Sequence, residues 1–230
     1  MSMSSFLATA KRVLTTPRKF FTKDVKRVKR WKDPATYLFV FTLLGAFFLI
    51  YDKTDVVSRI ADRVMEPLGL ASPSFQLGFW EQLLLYLAVF LFLFLFTNLK
   101  YWIAHWFVII WNREAEFKRT YAVLTYGGTP GWLAMPFFLL ATVTGAMAVS
   151  RGAVALWVVA VIAGLCWLAL EGYSIYLRIY GLAQNQRITK WQAFLSVYVL
   201  GLLAYLVILV VFEAVLVLVL LLALHAAGAL

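Results

Sequence analysis

Five stretches of this chain stay apolar without the polar interruptions of a half-buried helix in water: 35–51, Phe79–Trp111, 121–149, 153–180 and 192–225. A hydrocarbon core takes about 20 helical residues to cross, so four stretches exceed that length and the first only just reaches it. The pattern predicts an all-α integral membrane protein: a bundle of five transmembrane helices over 34–230, preceded by a basic interfacial segment at 1–33. The second stretch has 33 residues. At 1.5 Å per residue it extends about 50 Å, so it must tilt, emerge or bend.

Two shorter segments are amphipathic. After Thr15 and Thr16, Pro17 suits a first helical turn, and Phe21, Val25, Val28 and then Trp31 or Lys32 return at helical spacing among basic residues. A helix over 17–31 is expected along the cytoplasmic membrane surface, with its apolar face among headgroups. Lys19, Lys23, Lys26, Arg27, Lys29 and Arg30 would attract anionic lipid there at roughly 1 kcal/mol each, or serve only as a topology anchor. Asp33 and Pro34 read as cap and first residue of the opening span. Beyond it, Val56, Ile60 and Val64 recur four residues apart against Asp62, Arg63 and Glu66, which predicts an outer surface helix over 55–67. Pro67, Gly69, Ser72 and Pro73 end it.

Composition removes the soluble alternatives. Hydrophobic residues make up 63% of 230 and mean hydropathy is +0.85, more apolar surface than a water-soluble domain of this size hides. Charge fixes the orientation. With the N-terminus in the cytoplasm, that side holds Lys11, Arg12, Arg18, Lys19, Lys23, Lys26, Arg27, Lys29, Arg30 and Lys32, then Arg113, Lys118 and Arg119, then Arg178, Arg187 and Lys190 at the end of the fourth stretch. The other side holds Lys53, Arg59, Arg63 and Arg151, so 16 basic residues oppose 4 and the positive-inside rule places the C-terminal tail outside. The apolar patch 6–10 is too short for a signal peptide, and charges follow it instead of preceding it. The net charge of +10 lies beside a membrane with no nucleic-acid motif, which excludes nucleic acid as a partner.

The candidate chemistry lies inside the apolar stretches. In the third, Tyr126-Gly127-Gly128-Thr129-Pro130-Gly131 breaks the helical pattern. Such a break either unwinds, exposing backbone groups to a wet binding or gating cavity, or is a kink where glycine lets helices pack closely. Glu171 and Glu213 are intramembrane acids, which by default face a bundle interior because lipid exposure costs about 2.5 to 3.5 kcal/mol. Lys100 lies at a depth similar to Glu171, so a Lys100–Glu171 ion pair is expected, with Arg178 as the alternative partner. Glu213 is either protonated or paired with Lys53, Arg59 or Arg63. These acids serve a proton or ion path, or a structural polar contact.

No enzymatic constellation accompanies them: there is no nucleophile elbow, no phosphate loop and no His, Cys and carboxylate set at metal spacing. Cys166 stands alone, and His105 and His225 fall at opposite membrane faces, so no cofactor or metal is expected.

Three short motifs resemble the Yip family of small five-span membrane proteins. Leu14-Thr15-Thr16-Pro17-Arg18-Lys19-Phe20-Phe21 is similar to the proline-then-aromatic start of prokaryotic members. Phe117-Lys118-Arg119-Thr120 leads to Tyr126 and Pro130, similar to the tyrosine-x-x-x-proline of the third span. Tyr180-Gly181-Leu182 and then Lys190-Trp191-Gln192-Ala193 resemble the loop into the fifth span. The resemblance implies five helices and a cytosolic N-terminus. It does not carry over GTPase binding, because eukaryotic members have long N-terminal regions.

The functional expectation is a scaffold or assembly partner in a prokaryotic cytoplasmic membrane, bound to other membrane proteins or to its own copies. The alternative is a transporter, channel or lipid-translocating protein built on the broken span and the acids, and a membrane enzyme is a distant third. Reporters fused after Leu230 should read outside, and fusions near Glu116 or Gln186 inside. The reverse pattern would overturn the orientation.

Overall fold

The computed structural model describes residues 3–27, 32–47, 79–201, 203, 204, 206 and 207, and among them every regular element is helical. Helix α1 is Met3–Thr15 and α2 is Pro17–Lys19, continued by a π turn, Phe20–Asp24, and a 3-10 turn, Val25–Arg27. Residues 32–47 form α3. Then follow α4 (Phe79–Trp111), α5 (Phe117–Gly127), α6 (Thr129–Arg151), α7 (Val154–Gln186) and α8 (Lys190–Phe194), the last continued by a π turn, Leu195–Leu200. The outer helix expected at 55–67, the acid Glu213, His225, the basic residues Lys29, Arg30, Lys53, Arg59 and Arg63, and the fifth stretch beyond 207 lie outside the described residues.

Three described helical segments are long and apolar enough to span a membrane: Gln82–Trp111, Phe117–Val149 and Val154–Gln186. The second joins α5 and α6. α4 is one uninterrupted helix of 33 residues, so the excess length is met without a break. Exposed apolar side chains run along these helices, among them Leu84, Leu91, Phe92 and Leu95 on α4 and Val158, Val161, Ile162, Leu165 and Leu168 on α7. A patch of that extent is untenable in water, and lipid is its natural solvent.

The ends are closed by local chemistry. Gly152 stops α6 in the left-handed region at φ 62° and Arg187 stops α7 at φ 53°. Thr189 then opens α8 with a reciprocal cap: its hydroxyl accepts from the Gln192 amide, and the Gln192 side chain accepts from the Thr189 amide. The C-terminal ends of α4 and α7 and the N-terminal end of α5 are tied by a polar clasp. Asn112 Nδ2 donates to the Gln186 carbonyl at 2.7 Å, Gln186 Nε2 donates to the Glu116 carbonyl at 2.8 Å, and Gln186 Nε2 also reaches Thr120 Oγ1 at 2.8 Å. His105 joins through Thr120, its Nδ1 lying 3.0 Å from the same hydroxyl.

The N-terminal segment differs from the sequence expectation. Its apolar face packs against protein, not among headgroups: Phe20, Phe21 and Val25 are buried, as are Phe6 and Val13 of α1. Phe6 lies on Tyr37 and Phe41 of α3, and Phe20 meets the Tyr126 ring edge-on at 5.3 Å. Asn185 of α7 donates to the Phe21 carbonyl at 2.8 Å, and an Arg12–Asp24 ion pair ties residues 17–27, which form a strap, back to α1. The physical reason is that this surface is aromatic on both sides, so packing it in protein buries more than a shallow interfacial position. Lys19, Lys23 and Lys26 stay exposed on the other face.

Strap and α7 meet at Gly181, where a Cβ would stand 2.7 Å from Val123 Cγ1 and 2.9 Å from the Phe21 ring. Gly181→Ala should therefore lower stability by about 1–3 kcal/mol, read as a fall in thermal midpoint in detergent. The penalty should shrink in a Phe21→Ala background, where the ring is gone. Additive losses would show that the strap does not seat there.

Candidate functional site

The Gly-Gly-Thr-Pro break is a kink, not an unwound segment. Gly128 keeps near-helical angles, φ −73° and ψ −11°, its amide bonds back to the Leu124 and Thr125 carbonyls at 3.2 Å, and its carbonyl accepts from the Trp132 amide at 3.1 Å. Pro130 has no N–H to offer the Tyr126 carbonyl four residues before it. Thr129 supplies the replacement, its hydroxyl donating to that carbonyl at 2.6 Å. Because the single Thr129 proton is used there, the Tyr37 hydroxyl, 2.9 Å away, must be the donor to Thr129 Oγ1. Ser174 of α7 donates to the Gly127 carbonyl at 3.1 Å.

All of residues 120–131 are buried. The aromatic rings of Phe20, Tyr37 and Trp132 close one side. α7 closes the other. A Cβ on Gly127 would lie 2.9 Å from Arg178 Cγ and 3.1 Å from the Arg178 backbone nitrogen; one on Gly128 would lie 2.6 Å from Arg178 Nη2; one on Gly131 would lie 3.1 Å from both Glu171 oxygens. Three glycines thus admit α7, its guanidinium and its carboxylate to the surface of the broken span.

The Yip1 domain family matches residues 11–212, a stretch that begins inside α1 and so takes in the strap, the break and α7. The chain belongs to the Yip1 family. No curated protein and no solved structure matches it. Together with its apolar spans, membership identifies an integral, multi-pass membrane protein.

Within this Yip1 domain Tyr126, Gly127, Gly128 and Pro130 lie together in the buried break, Arg178 packs on Gly127 and Gly128, and Lys100 and Glu171 are within reach of its charge, in a pairing other than the expected one. The charges of Arg178 and Glu171 both act on Lys100, Arg178 the more strongly. Yet no ion pair joins Lys100 to Glu171, so the two do not form the direct pair expected from their depths. Arg178, counted in the sequence as a charge at the end of the fourth stretch, sits inside α7, where Tyr101, Tyr198 and, less strongly, Glu171 act on its charge. It also interacts with the phenol oxygens of Tyr101 and Tyr198. The Tyr101 hydroxyl donates to the Leu124 carbonyl at 3.1 Å. The Tyr198 hydroxyl, though close to the guanidinium, falls short of hydrogen-bond geometry, and both it and Arg178 Nε are buried without a partner.

Tyr37, Thr129, Ser174, Asn185 and Gln186 were not singled out as candidates from the sequence. A signal for part of this was present: Glu171, Ser174, Arg178, Gly181 and Asn185 recur three and four residues apart, which puts them on one face of α7. Gly127→Ala should cost about 1–3 kcal/mol because the α7 backbone cannot step aside, whereas Gly145, whose Cβ would meet Ala160 at an ordinary 3.9 Å, should accept alanine within about 1 kcal/mol. Equal thermal midpoints for the two variants would contradict the close approach of α7.

Proposed function

We propose that this Yip1-domain protein is a five-span membrane scaffold of prokaryotic type, sited in the cell membrane with its N-terminus in the cytoplasm. In this reading it binds other membrane proteins or its own copies and performs no catalysis. The observation that carries the reading is the burial of the whole broken segment 120–131: strap, α3 and α7 fill the space that a permeation path through the break would need. Backbone groups freed by Pro130 are consumed by Thr129, and Ser174 caps the Gly127 carbonyl, so neither is presented to a passing solute. A second reading, passage of a proton or ion, is favoured by one specific observation: the charges of Lys100 on α4 and of Glu171 and Arg178 on α7 act on one another.

Reconstitution in liposomes separates the two. The scaffold reading expects proton leak, ion flux and lipid scrambling no faster than in protein-free vesicles, and self-association or partner association that survives Glu171→Gln. Flux that appears with the wild-type protein and disappears in a folded Glu171→Gln variant would establish passage instead.

A further inference from the structure

We infer that Arg178 and Glu171 of α7, together with Lys100 of α4, form a binding site for a phosphate oxyanion beside the glycine kink. Two cations and one acid here act on one another, and among the described residues none of the three makes an ion pair of its own. A buried charge that lacks a partner is strongly destabilising, so the arrangement is short of one negative charge. Donors are left over as well. Arg178 Nε and the Tyr198 hydroxyl are sealed from solvent with no hydrogen-bond partner, although the two residues touch electrostatically. A monoanionic phosphate supplies both deficits: it balances the second cation and accepts from a guanidinium edge, a phenol and an ammonium together.

The remaining geometry suits such a ligand. Gly128 and Gly131 let the Arg178 guanidinium and the Glu171 carboxylate lie directly against the kink. Lys100, Glu171 and Arg178 each retain some exposed surface, which gives an anion a way in. The depth is a few Å inside the headgroup level, within reach of long side chains. α4 and α7, at about 50 Å, outrun a 30 Å core by about 20 Å in all, and Lys100 and Arg178 lie about 12–17 Å from the clasped ends, close to the hydrocarbon boundary. Basic pockets between helices at that level take lipid phosphate, and a free phosphate presents the same oxygens. The inference holds whether the bundle is a scaffold or a passage.

The test uses the full chain, purified in detergent, with two probes: inorganic phosphate against chloride at equal ionic strength, read by thermal midpoint, and phosphatidic acid against phosphatidylcholine, read by native mass spectrometry. Response to inorganic phosphate assigns a free anion, and retention of phosphatidic acid without that response assigns a lipid headgroup; either supports the site. Lys100→Gln should weaken binding about tenfold and Glu171→Gln should tighten it, because the local charge moves in opposite directions. Arg178→Gln should abolish it, and if that variant fails to fold, the opposed pair still decides. Replacing Lys19, Lys23 and Lys26 together with Gln should leave it unchanged. The inference falls if neither probe binds the wild-type protein, or if binding ignores Lys100→Gln and Glu171→Gln and is lost with the strap lysines.

Discussion

The protein is organised around a backbone constraint: in lipid every amide and carbonyl needs an internal partner, and Pro130 removes one in the middle of a spanning segment. An unsatisfied carbonyl there would cost several kcal/mol. The Thr129 hydroxyl fills the gap, and Tyr37 holds that hydroxyl in place from a different helix. The kink is therefore not a local matter. It is coupled to α3 through Tyr37 and to α7 through Ser174, and both helices must be seated for the broken segment to be stable.

Close approach follows from the same segment. Glycines at 127, 128 and 131 strip side chains from the kink, which lets α7 lay Arg178 and Glu171 against it. That placement takes the guanidinium into the bundle and leaves it dependent on Tyr101, Tyr198 and neighbouring charges. The strap completes the enclosure, with Phe20 on Tyr126 and Phe21 over Gly181. One broken helix thus specifies where the N-terminal segment docks, where α7 crosses and where the buried charges collect.

Much of the helical layout was legible in the sequence because membrane helices announce themselves by length and hydropathy. The third stretch, the long α4 and the fourth stretch all follow from residue pattern. The strap was misjudged for a physical reason: an amphipathic pattern shows that Phe21 and Val25 need an apolar surface but not whether lipid or protein supplies it. The Lys100–Glu171 pair failed similarly. Depth along two helices places two residues at one level, whereas their pairing depends on helix rotation and side-chain reach, and the Arg178 charge acts on Lys100 more strongly than that of Glu171 does. The Tyr37–Thr129 contact joins residues 92 positions apart and has no local signature.

The central claim is that the kink is dry and closed. Amide hydrogen exchange of the reconstituted protein measures that directly, because exchange requires the hydrogen bonds of the segment to open to water. Closure predicts that amides from 120–131, apart from Pro130, exchange among the slowest in the chain and more slowly than those near the exposed ends of α6 and α7 around Gly152. Rapid exchange at Thr125, Tyr126 and Gly127 in the folded protein would contradict it and would place water inside the break.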